Sequence, residues 1–310
     1  MKELKINLLQ KHLIIAFFLV AFVSCKDKAK KEAVTEDSTA VTEKATSNFG
    51  GLALYTVRDD MGTDAKTTLQ AVADAGYKNI EAAGYADGKF YGLAPAEFKS
   101  LLDDLDLTPV SSHQSSVTLE NADAMMADVK AAGFEYFVVP IPPMGMYAHD
   151  RGGKGRSLNG TIEDFVKVLN TLGEKANAAG LKLLYHNHDF EFKKNDDGVV
   201  IIDYLLDNCN PEFVDFQMDL FWVVTADADP IAYFEKYPGR FKMWHVKDMD
   251  DQGRFAPVGN GNIDFAEILA KKELSGMEYY MVEQDKTFDE MKPLEAIKIS
   301  HEGLKKYGFR

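Results

Sequence analysis

Short apolar, β-rich runs alternate with helical patterns along most of this chain, and this alternation restricts the fold more than any other feature. The strand candidates are 52–57, 79–82, 108–112, 136–141, 182–186, 214–218, 241–246 and 279–282. Each is a continuous apolar run, as expected of strands covered on both faces. Between them lie helical stretches at 67–75, 95–105, 122–132, 161–179, 230–237, 265–274 and 294–307. Several of these end in a glycine stop just before the next strand: Ala75-Gly76-Tyr77, Ala132-Gly133-Phe134, Ala179-Gly180-Leu181, Pro238-Gly239-Arg240 and Ser275-Gly276-Met277. Glycine there can take the left-handed conformation that closes a helix. Eight such units in about 260 residues match a (β/α)8 TIM barrel, one domain over 49–310. A doubly wound open sheet is the alternative. It is disfavoured because Tyr55-Thr56-Val57-Arg58-Asp59-Asp60 after the first strand holds no glycine-rich phosphate loop.

Residues 1–24 form a separate device. Lys2, Lys5 and Lys11 precede an apolar run over 13–23. That run falls short of the roughly 20 residues a spanning helix needs and suits the core of a secretory signal peptide. Phe22-Val23-Ser24-Cys25 resembles a bacterial lipobox, with phenylalanine where leucine is usual. Cys25 is therefore the expected lipidation site. The chain is expected to be exported and lipid-anchored to a bacterial membrane, on its periplasmic or cell-surface side. Residues 25–48, rich in Lys, Glu, Ala, Thr and Ser and free of aromatics, read as a flexible tether. Cys209 is then the one other cysteine, and reads as a small buried hydrophobe.

The net charge is -14. The tether's charges cancel and the leader contributes +2, which leaves -16 on the barrel. Such a body offers no surface to a polyanion, so no nucleic-acid partner is expected.

Active sites of these barrels lie at the C-terminal strand ends, and ionisable residues gather there. The second strand closes on Glu81 and the third on His113. The fifth runs into Tyr185-His186-Asn187-His188-Asp189-Phe190-Glu191. The sixth closes on Asp219, the seventh on His245-Val246-Lys247-Asp248, and the eighth on Glu283. Carboxylates and imidazoles ending apolar strands are costly unless paired or ligating, and a cation among them removes the mutual repulsion of the acids. Oxygen and imidazole donors suit one divalent metal: Mn, Co, Fe, Zn or Mg. Other readings stay open. Asp219 can cap the next turn. His186 and His188, two apart on one face, can be a ligand and a core histidine. Glu191 can be a loop acid, and Lys247 with Asp248 a surface ion pair. Glu81 and His113 read as substrate contacts or as partners of the ligands.

With these residues in view, the chain from Phe49 to Arg310 resembles the xylose-isomerase-like barrel superfamily, the sugar phosphate isomerase/epimerase group. Three stretches carry the resemblance: Tyr185 to Phe192, His245-Val246-Lys247-Asp248, and Pro257-Val258-Gly259-Asn260-Gly261-Asn262-Ile263-Asp264-Phe265. In the last, the glycines permit a tight turn and Asp264 can cap a helix. The resemblance implies one divalent metal, manganese first, held from strands five to eight. Asp219, His245 and Glu283 match three of the four ligands. His186 stands where the group's epimerases place a glutamate, and that departure puts a simple two-glutamate epimerisation in doubt.

The resemblance further implies a metal-dependent sugar isomerase or epimerase that abstracts a proton next to a carbonyl through an enediolate. Glu283 would be the base, and His186 or His188 the opposing acid. Glu81, His113, Glu191, Lys247 and Trp222 would contact the carbohydrate. A 3-keto-glycoside lyase acting by β-elimination is the alternative on the same barrel, and a non-catalytic sugar-binding lipoprotein the alternative of another class. Export and acidity disfavour a phosphorylated substrate, although Arg58, Lys154, Arg156 and Lys247 could bind one. Tyr55, Tyr85, Phe90, Tyr91, Phe190, Phe221 and Trp222 are placed to stack on sugar faces. The polar, glycine-rich segment 142–160 is a candidate lid. Membrane contact is expected only through the lipid, and homo-oligomerisation stays open.

Overall fold

Parallel pairing of Gly51 with Met281 and of Leu52 with Val282 joins the first strand to the last and closes a barrel. The computed structural model describes residues 49–150, 155–195 and 197–310. The leader 1–24, Cys25, the tether and Lys154 lie outside the described residues. The barrel strands are β1 (Gly51–Ala53), β2 (Asn79–Ala82), β3 (Thr108–His113), β4 (Tyr136–Val139), β5 (Lys182–His186), β6 (Val214–Asp219), β7 (Phe241–Val246) and β8 (Tyr279–Val282). They follow one another around the barrel in chain order, all parallel.

The continuous apolar strands have a simple cause. One set of residues, including Val138, Leu184, Met243 and Met281, fills the barrel's interior. Their neighbours, such as Phe137, Leu183, Trp244 and Val282, face the surrounding helices in a second, larger core. Two of the expected glycine stops pack on each other: a Cβ on Gly276, at φ 82, would come within 2.7 Å of the Gly239 Cα.

The structure departs from the sequence expectations at several element ends. Residues 54–57 form a 3-10 helix and not the end of the first strand. Leu54 and Val57, three apart, are fully buried while Tyr55 between them is 40% exposed, a period of three and not two. The fourth strand stops at Val139 because Pro140 has no N–H to continue the ladder. Helices at Arg58–Thr63, Ile201–Asn208 and Leu220–Thr225 were not expected. The last two are rich in β-branched and aromatic side chains and read locally as strand. The expected helix 265–274 is two shorter ones, Phe265–Leu269 and Lys272–Ser275. Cys209 is a buried free thiol, which burial pushes up to about 12. In the candidate lid, Tyr147–Asp150 pairs antiparallel with Gly155–Leu158.

Candidate active site

Side chains alternate along a strand, so residues two apart share a face. Above the interior residue Met243 come His245 and then Lys247; above Met281 come Glu283 and Asp285; above Leu184 comes His186. This alternation stacks an ionisable layer on the apolar interior at the C-terminal end of the barrel. The cluster is closed on itself. His245 Nδ1 lies 3.0 Å from Glu283 Oε2 and 3.7 Å from Asp219 Oδ2. His186 Nε2 lies 3.8 Å from the same Asp219 oxygen. Donor atoms of Asp219, His245 and Glu283 all fall within 4.8 Å of one another. Asp219 serves twice, because its Oδ1 also accepts from the Trp222 backbone N–H and caps Leu220–Thr225.

Glu81 lies beneath this cluster, fully buried. Its Oε1 faces His245 Nε2 at 2.6 Å and His113 Nε2 at 3.1 Å. Its Oε2 accepts from Gln217 Nε2 at 2.6 Å and Ser111 Oγ at 2.8 Å. Gln217 Oε1 in turn accepts from His113 Nε2 and His186 Nδ1. The network sets the imidazoles: His186 donates from Nδ1 and turns Nε2 toward Asp219, while His245 turns Nε2 to Glu81 and Nδ1 to the acids above.

Burial and charge oppose each other at each group. Burial raises the Glu81 carboxyl, but His113 and His245 outweigh it and hold Glu81 below the ordinary range. Burial would neutralise His245, yet Glu81 and Glu283 hold it well above its ordinary value. His186 has no such compensation, so burial and the neighbouring imidazoles keep it well below its ordinary value and neutral. The Lys247 ammonium is 1% exposed and lies 2.8 Å from Asp219 Oδ2, 2.6 Å from Glu283 Oε2 and 2.7 Å from Asp285 Oδ1. Those acids outweigh burial and keep it charged. Burial raises Asp219 and Glu283, but Lys247 beside them lowers both below the ordinary carboxylate range.

The donor set fits a divalent cation. It offers two ionised carboxylates and two imidazole nitrogens, and each imidazole is fixed from behind by a carboxylate or an amide, the arrangement typical of metal-binding histidines. Asp219 Oδ2 is fully buried and finds no aligned hydrogen-bond donor among the described residues, Lys247 included.

Above the cluster opens a cleft of about 430 Å³. His113, His186, His188, Lys247 and Glu283 line it, together with Tyr55, Tyr147 and Asp285. Trp222 lies behind them, its ring 5.7 Å from that of His188 and 5.5 Å from Lys247 Nζ. Glu191 is corrected as a substrate contact, and Glu81 takes the second of its two readings, partner of the ligand His245: both stand behind the cleft wall and not on it. Both Glu81 oxygens are taken from within. Glu191 is fully buried, accepting from the Tyr185 hydroxyl and the His188 N–H, and so fixes the loop that carries His188. Burial pushes its carboxyl up to about 7. Asp248 is no surface partner of Lys247; it is buried under the 257–263 loop. Three residues were missed. Gln217, two before Asp219, and Asp285, two after Glu283, lie in register with site residues. His149, within the candidate lid segment, reaches the cleft on the Tyr147–Asp150 strand.

Comparison with known proteins agrees with this fold. A family model described as xylose isomerase-like TIM barrel matches residues 69–307. The chain is 31% identical over 148 residues to an inosose dehydratase of Salmonella agona, covering 41% of this chain and 48% of that relative. It is 25% identical over 286 residues to an inosose dehydratase of Lacticaseibacillus casei, covering 78% and 90%. The chain thus spans about half the length of the first of these relatives and most of the second. Among solved structures, a sugar phosphate isomerase/epimerase from Parabacteroides distasonis aligns with a TM-score of 0.70 at 26% identity, covering 86% of this chain and 97% of that one.

Proposed function

Since the chain belongs to the xylose isomerase-like TIM barrel family and is similar to inosose dehydratases and to a sugar phosphate isomerase/epimerase, we propose that it is a divalent-metal-dependent sugar isomerase or epimerase. The observation that carries this reading is the meeting of Asp219, His245 and Glu283 at the barrel mouth, their donor atoms within 4.8 Å of one another, with His186 Nε2 3.8 Å from the Asp219 carboxylate beside them. These four would hold the ion, manganese first, with Co, Zn, Fe or Mg as alternatives of the same donor chemistry. When bound, the ion supplies positive charge beside the substrate's carbonyl oxygen and so acidifies the adjoining C–H.

The chain's own residues supply the rest. Glu283 is kept ionised by Lys247 and His245, the state a base needs, and it lines the cleft. It takes the proton next to the carbonyl, giving the enediolate. His188, half-buried and lining the same cleft, would move the proton on the substrate's other side, and His186, neutral through burial, would do so only where its Nε2 does not hold the ion. The Lys247 ammonium faces the negative charge that develops on the substrate oxygens. Tyr55 and Tyr147 form walls on which a sugar ring can lie.

A second reading is β-elimination on the same intermediate. It is supported by the dehydratase relatives and by His186, where a second glutamate would serve a symmetric epimerisation. One experiment tests both. A panel of keto-sugars and 3-keto-glycosides is incubated in deuterated water with added manganese or cobalt. Deuterium appearing next to the carbonyl, and lost with Glu283→Gln, is the expected result; a rearranged sugar marks isomerisation and a released group marks elimination. No exchange on any substrate, with sugar binding unaffected by metal stripping, would overturn the reading in favour of a binding protein.

A further inference from the structure

The Lys247 ammonium contacts the same oxygens the metal set would offer. Nζ is 2.8 Å from Asp219 Oδ2 and 2.6 Å from Glu283 Oε2, and neither contact is an aligned hydrogen bond. Its aligned bond runs instead to Asp285 Oδ1 at 2.7 Å. The rings of Trp222 and Phe255 flank the ammonium at 5.5 and 5.6 Å, close enough for a cation–π attraction. A divalent ion joining Asp219 Oδ2 to Glu283 Oε2 would need the space in which Nζ now touches both. Two cations crowded onto one pair of carboxylate oxygens repel strongly at this burial.

We propose that Lys247 is a built-in competitor of the metal: its ammonium rests on Asp219 and Glu283 and must withdraw to Asp285 before a divalent ion can take both oxygens. The inference rests on the metal-centre reading above and adds to it an exchange of cations. Without metal, the lysine neutralises two fully buried acids that would otherwise repel each other. With metal, it keeps its aligned partner Asp285, which lines the cleft, and so presents its charge to the substrate. Metal loading and the placing of that charge become one event. Lys247 is in this respect a positioning residue as well as a substrate contact.

The test is calorimetric titration of Mn²⁺ into the purified, chelator-stripped chain, which needs no substrate. Lys247→Met, which keeps length and removes charge, is expected to bind Mn²⁺ roughly tenfold or more tightly, the size expected for removing a close like charge. Asp285→Asn leaves an acceptor but removes the negative charge that draws the ammonium away from Asp219 and Glu283, and is expected to weaken binding several-fold. Lys286→Met is the control for general charge: Lys286 is exposed and makes no contact with the two carboxylates, so affinity should stay within about twofold. Unchanged or weaker binding by Lys247→Met overturns the proposal and leaves the metal centre standing. Should Lys247→Met fail to fold, Asp285→Asn decides, because unchanged or tighter binding there overturns it. A wild-type chain that takes no Mn²⁺ removes the metal reading itself, and the proposal with it.

Discussion

Glu81 shows what one buried carboxylate can organise. Its oxygens face two imidazoles, one amide and one hydroxyl, all from other strands or from beyond β2's own end. Removing one partner from a buried charged network leaves the others uncompensated, at about 3–5 kcal/mol. Glu81→Ala is therefore expected to lose that much stability in urea denaturation of the metal-free chain. Because the folded state holds Glu81 below its ordinary value, its contribution is complete above the unfolded carboxyl value of 4.5 and is lost as pH falls through the lower folded value. The gap between wild type and variant should narrow in acid. Glu191 carries the opposite sign. Burial raises it from 4.5 to about 7, so the folded state binds more protons than the unfolded one across that window, and stability falls as pH rises through it. Between pH 4.5 and 7.5 the wild type should lose on the order of 3 kcal/mol more than Glu191→Gln; parallel slopes for the two proteins would show that Glu191 does not titrate there. Asp219, His245 and Glu283 were legible in the sequence because each is an ionisable residue ending an apolar strand. Gln217 was not, since an uncharged amide in such a strand reads as core, and only the closed barrel brings it between Glu81 and His186.

At the scale of elements, the glycine-containing loop after β7 has its explanation in Asp248. The two carboxylate oxygens accept from the N–H groups of Met249, Gly259, Gly261 and Ile263. A Cβ on Gly261 would run into that carboxylate, and one on Gly303 in the last helix (Pro293–Tyr307) would run into the Val258 carbonyl. The loop is therefore pinned from both sides, on one of them by the residue next to Lys247. Asp248→Asn turns one acceptor into a donor and strands part of the N–H set, at about 2–4 kcal/mol. Its denaturation midpoint should fall accordingly, and since Asp248 is bonded directly to Lys247 in the chain, substrate affinity should fall with it. A midpoint equal to wild type would mean the loop holds without the carboxylate. The expected tight turn at the glycines and the cap at Asp264 are both present, the Asp264 side chain accepting from Glu267 N. The carboxylate that binds the loop was not legible, because Asp248 lies more than ten residues upstream and its neighbour Lys247 suggested an ion pair instead. Element ends were the least legible part of the fold for the same reason. Where β1 gives way to a 3-10 helix, the outcome depends on which neighbour covers the next residue; β4 ends instead for a local reason, the missing N–H of Pro140.

At the scale of the whole chain, the alternating pattern specified the barrel, and charge now bears on where that barrel works. The residues after 48 carry -16, which an anionic membrane surface repels. We propose that anchoring through Cys25 overcomes this with help from one feature of the sequence. Lys26, Lys28, Lys30 and Lys31, against Asp27, put positive charge directly behind the acylated cysteine, where each lysine near an anionic surface contributes about 1 kcal/mol. The full-length chain made in a bacterial host should therefore partition with membranes and resist extraction by high salt. Its N-terminal peptide should begin at Cys25 and carry the mass of a lipid. Cys25→Ser should appear in the soluble fraction with the same catalytic rate on a soluble substrate, because the barrel begins beyond the tether. Replacing the four lysines with alanine should weaken membrane retention without abolishing it, since the acyl chain supplies the larger share. A wild-type chain recovered in solution with Cys25 unmodified would overturn the anchor and leave the barrel's chemistry untouched.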